Sequence, residues 1–288
     1  MCSYILLCKP KQWIKNIFVL APFFFTHILW SLSLLGRVLI GFACFCFIAS
    51  SIYILNDYKD READRLHPVK SRRPIASGAV DTKLALLLAV FLVLLGVGLA
   101  SYLSVSFCKV LLIYLSLNIA YCFGMKSYSI IDVMSIALGF VLRVEAGATL
   151  VHSVASVWNI ICTGLLALFI AFAKRRDDVV TAMSHAHRQS LAGYNLRFID
   201  ACMMVLTAAL IIAYVIYTTD ASVMSHFHSK HVYYTVPFVL AGVFRYLQIT
   251  LVEETSASPT DLLLTDTFLQ ISIFGWIAMF GCIMIWGF

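Results

Sequence analysis

Asp57, Asp60 and Asp64 stand three and four residues apart. On an α-helix that spacing lays three carboxylates along one face. Asn56, four residues before Asp60, borders the same face. Carboxylates this close repel one another, and a divalent cation removes the penalty. Hard oxygen donors of this kind suit Mg²⁺ held jointly with substrate phosphates. The plainer alternative is a solvated helix end, screened by the interspersed Lys59, Arg61 and Arg65.

Several cations could serve anionic substrates. Lys11 and Lys15 are four apart, with Gln12 and Asn16 beside them at the same spacing. They make a compact donor surface for phosphate oxygens, although Lys and Trp also anchor helix ends at a membrane interface. A basic segment from Arg65 to Arg73 follows the acidic stretch and ends in the turn Pro74–Gly78. Lys126 closes the run that begins at Tyr121 and reads either as a substrate contact or as a snorkelling anchor. Arg143 lies within apolar sequence, where an ionised group is costly and needs a partner. Glu145, two residues on, points elsewhere on a helix, which leaves a substrate phosphate or an acid from another span. Lys174-Arg175-Arg176-Asp177-Asp178 is a stop-transfer flank or an anion site, and Arg188 and Tyr194 come after it. His67 beside Pro68, and His185 with His187, read as solvated loop residues. The nine cysteines form no CxxC pair and read as small apolar packing residues.

The elements that carry these residues are set by composition. The chain is 61% hydrophobic and 12% charged, against about 25% charged for a soluble domain. That pattern excludes a soluble enzyme and gives no footprint for nucleic acid. Nine apolar stretches approach the length of a bilayer crossing. They are Ile17–Leu35, Val38–Leu55, Leu84–Val105, Val110–Gly124, Ile130–Leu150, Val154–Ala173, Ile199–Thr219, Val232–Leu251 and Phe268–Trp286. Sixteen of the 21 Lys and Arg fall in connections on the side of the N-terminus, and three on the other. The expectation is an all-α polytopic protein of the cell membrane, one domain over residues 1–288, without a cleavable signal. Its N-terminus and acidic helix face the cytoplasm and its C-terminus lies outside.

Residues 56–64 match NDxxDxxxD, and the chain resembles the UbiA superfamily of intramembrane prenyltransferases, nine-helix bundles with a cytoplasm-facing cavity. Within it the likeness is to the decaprenyl-phosphate phosphoribosyltransferase branch. The P-K-Q-W-x-K-N motif is seen at Pro10–Asn16, and D-R-x-H-P-x-K-x-x-R-P-I-A-x-G at Asp64–Gly78. Further matches are Tyr121 with Lys126, Asp132, Gly139–Arg143, Lys174–Arg176, Arg188–Tyr194, Arg245-Tyr246 and Pro259–Asp266. Glu145 and Thr267 depart from the branch pattern. The resemblance implies a phosphoribosyl diphosphate donor, a polyprenyl phosphate acceptor, and Mg²⁺ on Asn56, Asp57, Asp60 and Asp64. It implies substrate contacts at Lys11, Lys15, Asn16, Arg73, Tyr121, Lys126, Arg143, Lys174, Arg175 and Arg188. The alternative within the superfamily is an aromatic prenyltransferase. That activity uses a second acidic motif after the sixth span, where this chain has only Asp177 and Asp178. A transporter is the third reading, and it leaves the acidic helix unexplained.

Overall fold

A computed structural model describes residues 2–25, 31–66, 70–152, 156–182, 189–253 and 259–286. Every regular element among them is helical. Among the described residues eight helices are long and apolar enough to cross a membrane. The protein is a multi-pass membrane protein, and it falls into two compact units.

The first unit comprises Met1–Lys126 and Leu138–Ala155. It holds α1 (Cys2–Leu7), a 3₁₀ segment (Pro10–Val19), α2 (Ala21–Phe24), α3 (Leu32–Leu66), α4 (Thr82–Leu103), α5 (Val105–Phe123) and the greater part of α6 (Ile131–Leu150). Helix α3 is the centre of this unit and packs along α4, α5 and the 3₁₀ segment. Phe45, Ile48, Phe107, Leu111, Tyr114 and Leu150 form its core. A second cluster of Leu7, Ile54, Ile75, Val80 and Ala85 pins the turn after Arg73 against the far end of α3. Gly78, at φ +76°, makes that turn, a conformation costly for residues with a Cβ. Asp81 then caps α4 by accepting from the backbone N–H groups of Lys83 and Leu84.

The first expected span, Ile17–Leu35, is not among the eight, and its residues 26–30 lie outside the described ones. Pro10 opens a 3₁₀ segment that ends at Val19, and Pro22 sits in the first turn of the four-residue α2. Proline lacks the N–H that a continuous α-helix needs. The span expected at Val38–Leu55 is instead part of the 35-residue α3. At 1.5 Å per residue such a helix is roughly 50 Å long, well beyond a hydrocarbon core of about 30 Å. Its acidic end is thus a continuation of a membrane helix and not a separate element. Gly147 of α6 lets the 3₁₀ segment come close, since a Cβ there would collide with the carbonyl oxygen of Val19.

The second unit comprises Ser127–Ala137 and Ser156–Phe288. It holds the start of α6, then α7 (Val157–Ala182), α8 (Leu196–Thr219), α9 (Ala221–Phe227), α10 (Val236–Leu251), α11 (Pro259–Thr265) and α12 (Thr267–Trp286). Helix α7 packs on α8, and α10 on α12, around Phe169, Ile199, Met203, Tyr246 and Leu247. In both units large apolar side chains face outward. Leu87 is 64% exposed and Leu94 68% on α4, Ile271 64% and Phe274 67% on α12. In water each would forfeit about 25 cal/mol per Å² of apolar surface left unburied. Lipid removes that cost.

Candidate active site

The last turns of α3 carry the acidic residues, and all of their contacts described here lie within the first unit. Asp57 is 1% exposed and Asp64 4%. Asp57 Oδ1 accepts from Lys9 Nζ at 2.7 Å and from Arg73 Nη1 at 3.0 Å. The same Arg73 Nη1 donates to Asp64 Oδ2 at 2.7 Å. Asp60 turns to different partners. Its Oδ1 accepts from Lys126 Nζ at 2.6 Å and its Oδ2 from Asn56 Nδ2 at 3.0 Å. Lys126 Nζ also donates to Asn56 Oδ1 at 3.2 Å. Three carboxylates are thereby matched by three cations, drawn from the N-terminal segment, the turn after α3 and the short 3₁₀ turn after α5.

One atom is left over. Asp57 Oδ2 is buried with no hydrogen-bond donor among the described residues. An ionised oxygen held from water without a donor is expensive, so this is where an added cation gains most. No three His, Cys, Asp or Glu among the described residues converge as a ready-made metal cage. Mg²⁺ does not need one, because it is commonly held by one or two carboxylates with the remaining ligands from water and substrate phosphates. The donor set fits such an ion. Burial pushes the Lys9 ammonium below the ordinary lysine range, and the charge of Asp57 opposes that shift.

Arg143 is 5% exposed. Its Nε donates to Asn16 Oδ1 at 2.9 Å, Nη1 to the Gly139 carbonyl at 2.8 Å and Nη2 to Tyr114 Oη at 2.7 Å. The guanidinium also lies over the rings of Tyr114 and Phe140. Among the described residues its hydrogen-bond partners are all neutral, so the acid from another span considered as its partner is not there. Its positive charge is solvated by dipoles, with no carboxylate among the described residues bonded to it. Asn16 is completely buried, and its Nδ2 donates to Cys46 Sγ at 3.3 Å. Trp13 Nε1 donates to Ser50 Oγ, and Ser50 in turn donates to the Cys8 carbonyl. These bonds tie the 3₁₀ segment to α3. Lys11 is exposed, while Lys15 and Tyr121 are half-buried.

The other basic residues of the sequence reading lie in the second unit. Arg175 is 1% exposed. Its Nε is 2.6 Å from Asp132 Oδ2, and Nη1 bonds Asp178. It is thus enclosed by two acids, Asp132 and Asp178. Asp132 is further held by Tyr194, whose hydroxyl donates to Oδ1 at 2.7 Å and accepts from the backbone N–H of Ile130 at 2.6 Å. Ile130 has φ +68°, a rare conformation for a β-branched residue. Arg176 donates to Asp200 and to the Thr250 carbonyl, joining α7 to α8 and α10. Lys174 is exposed. Arg188 lies outside the described residues, as do His67, His185 and His187.

Sequence reasoning omitted Lys9 and Tyr114 from the site. Lys9 directly precedes the Pro10–Asn16 motif, and that adjacency was the signal. Tyr114 left only the weak mark of a hydroxyl inside an apolar run.

The fold and site thus define a multi-pass membrane protein whose helices are apolar enough to cross a membrane, with an acidic helix end clasped by cations. The chain belongs to the UbiA prenyltransferase family, which it matches over residues 17–271. It is 32% identical over 279 residues to the decaprenyl-phosphate phosphoribosyltransferase of Corynebacterium glutamicum, covering 93% of this chain and 82% of that one. It is 30% identical over 298 residues to the decaprenyl-phosphate phosphoribosyltransferase of Mycolicibacterium smegmatis, covering 95% and 89%. In fold it is similar to a UbiA homologue from Archaeoglobus fulgidus solved with GPP and Mg²⁺. That likeness has a TM-score of 0.74 and 19% identity over 98% of this chain and 99% of that one.

Proposed function

We propose that the protein transfers 5-phosphoribose from 5-phosphoribosyl-1-diphosphate to a polyprenyl phosphate and releases diphosphate. A phosphate oxygen of the lipid forms the new bond to ribose C1. The bond from C1 to the diphosphate oxygen breaks, and the electron pair leaves with diphosphate. The acceptor is already ionised, so the reaction needs no strong general base, and none is required of the histidines. Mg²⁺ held through Asn56, Asp57, Asp60 and Asp64 would neutralise and polarise the departing diphosphate. Arg73 and Lys126 sit on those same carboxylates and are placed to bind and orient phosphate oxygens. Arg143 offers a buried positive charge that no acid among the described residues pairs with, suited to one substrate phosphate. Lys11 and Lys15 add cations on the 3₁₀ segment. We place this chemistry on the cytoplasmic side of the cell membrane, from the distribution of Lys and Arg.

The observation that carries this reading is the near full-length similarity to two curated phosphoribosyltransferases, joined to a single acidic motif. The alternative, transfer of a prenyl group from a prenyl diphosphate to an aromatic acceptor, uses two acidic motifs. Here Asp178 is taken by Arg175. The test is purified protein with labelled phosphoribosyl diphosphate, Mg²⁺ and polyprenyl phosphates, run beside prenyl diphosphate with aromatic acceptors. Lipid-linked phosphoribose is the expected product. Its absence, with prenylation of the aromatic acceptor, would reject this reading for the other.

A further inference from the structure

Lys9 is the least expected member of the acidic cluster. It adopts φ +50° and ψ +59°, the left-handed conformation, immediately before Pro10. A lysine is uncommon there, and such strain persists where the surroundings over-determine it. They do so here. The Lys9 N–H donates to the Leu6 carbonyl at 3.1 Å, and its own carbonyl accepts from Gln12 N–H at 2.9 Å. The preceding Cys8 carbonyl accepts from Ser50 Oγ at 3.0 Å. The result is an ammonium delivered to Asp57 Oδ1 from a segment 48 residues away in sequence. Yet Asp57 does not need it for orientation, because Arg73 already holds the same oxygen at 3.0 Å. Asp57 Oδ1 thus carries two cations while Oδ2 carries no donor. A second cation on a satisfied oxygen opposes, by like-charge repulsion, any divalent ion that binds the carboxylate through its other oxygen.

We propose that Lys9 is a substrate-binding residue that shares Asp57 with the divalent cation. It weakens binding of the ion alone and strengthens binding of the anionic donor. When the diphosphate enters with its metal, the ammonium bonds to a phosphate oxygen, and its repulsion of the ion is offset by the anion between them. This couples the two ligands, so that each is held well only with the other. The proposal rests on the donor being a diphosphate bound at this site.

The test uses the full chain in detergent and two variants. Lys9→Gln keeps a donor for Asp57 Oδ1 and removes the charge, and Lys9→Arg keeps both. Mn²⁺ binding is measured by electron paramagnetic resonance without substrate, and phosphoribosyl diphosphate binding by calorimetry in saturating Mn²⁺. Lys9→Gln is expected to bind Mn²⁺ about tenfold more tightly and the donor about tenfold more weakly. Lys9→Arg is expected to stay near wild type in both. Mn²⁺ binding that is unchanged or weaker in a folded Lys9→Gln protein would overturn the proposal, because loss of a charge that repels the ion must tighten its binding. If wild type binds no phosphoribosyl diphosphate at all, the functional reading fails, while the Mn²⁺ comparison still decides how Lys9 acts on the ion.

Discussion

Replacing Arg73 by alanine tests the charge arrangement of the site. One guanidinium nitrogen, Nη1, bonds both Asp57 and Asp64. After its removal Asp57 Oδ1 keeps Lys9 at 2.7 Å. Asp64 keeps nothing, since Arg73 is its sole hydrogen-bond partner among the described residues and its side chain is 6% exposed. Leaving a buried charge without its partner costs about 3–5 kcal/mol. Arg73 is itself 29% exposed, so solvent screening lowers the expected loss to about 2–3 kcal/mol. The assay is equilibrium unfolding in mixed micelles for wild type, Arg73→Ala, Asp64→Asn and the double variant. Asp64→Asn should relieve much of the penalty, giving a coupling of at least about 1 kcal/mol. Added Mg²⁺ should stabilise Arg73→Ala more than wild type, because binding to the folded state shifts stability by mass action. An Arg73→Ala protein within about 0.5 kcal/mol of wild type, or an additive cycle, would refute this reasoning.

Three further predictions concern packing and pairing within each unit. Gly147→Ala forces a Cβ onto the Val19 carbonyl oxygen, a backbone atom that cannot swing away. It should cost about 1–3 kcal/mol in the same unfolding assay. Gly36→Ala, where a Cβ meets nothing within 4 Å, should be close to neutral. Tyr194→Phe keeps the ring packed on Phe172 but removes the acceptor for Ile130 N–H and a donor to Asp132, at about 1–3 kcal/mol. Asp266 accepts from Arg245 Nη2 at 2.7 Å, which holds its carboxyl below the ordinary 3.8. Its contribution to stability is therefore fully present above pH 3.8 and lost as pH falls from there through the depressed folded value. Asp266→Asn should flatten the acid limb of a stability–pH profile over that window, and an unchanged slope would remove the pair as its cause.

Much of the fold was legible because lipid as solvent leaves a strong mark. Runs such as Leu84–Val105 and Phe268–Trp286 nearly coincide with α4 and α12. The first span is less regular over its described residues than hydropathy implies, because hydropathy does not register backbone chemistry. Residues 17–24 are apolar enough, but Pro10 and Pro22 set a 3₁₀ segment and a four-residue helix. At the site the i, i+3, i+7 spacing located the acidic helix end. It did not foretell which cations would answer which acids, because those pairings join residues far apart in sequence. Lys126 reaches Asp60 across 66 residues, and Arg143 reaches Asn16 across 127. The Lys174–Arg176 run looked alike from residue to residue. Tertiary packing separated it, enclosing Arg175 between Asp132 and Asp178 and leaving Lys174 exposed.

The most direct test is diphosphate release from phosphoribosyl diphosphate by the purified protein, measured with and without polyprenyl phosphate, for wild type and Asp57→Asn. The expected result is release that depends on the lipid and matches lipid-linked phosphoribose mole for mole. In an Asp57→Asn protein that unfolds like wild type, release should fall by about 10²–10³-fold. Undiminished, lipid-dependent release in that folded variant would contradict the assignment of the acidic helix as the site of reaction.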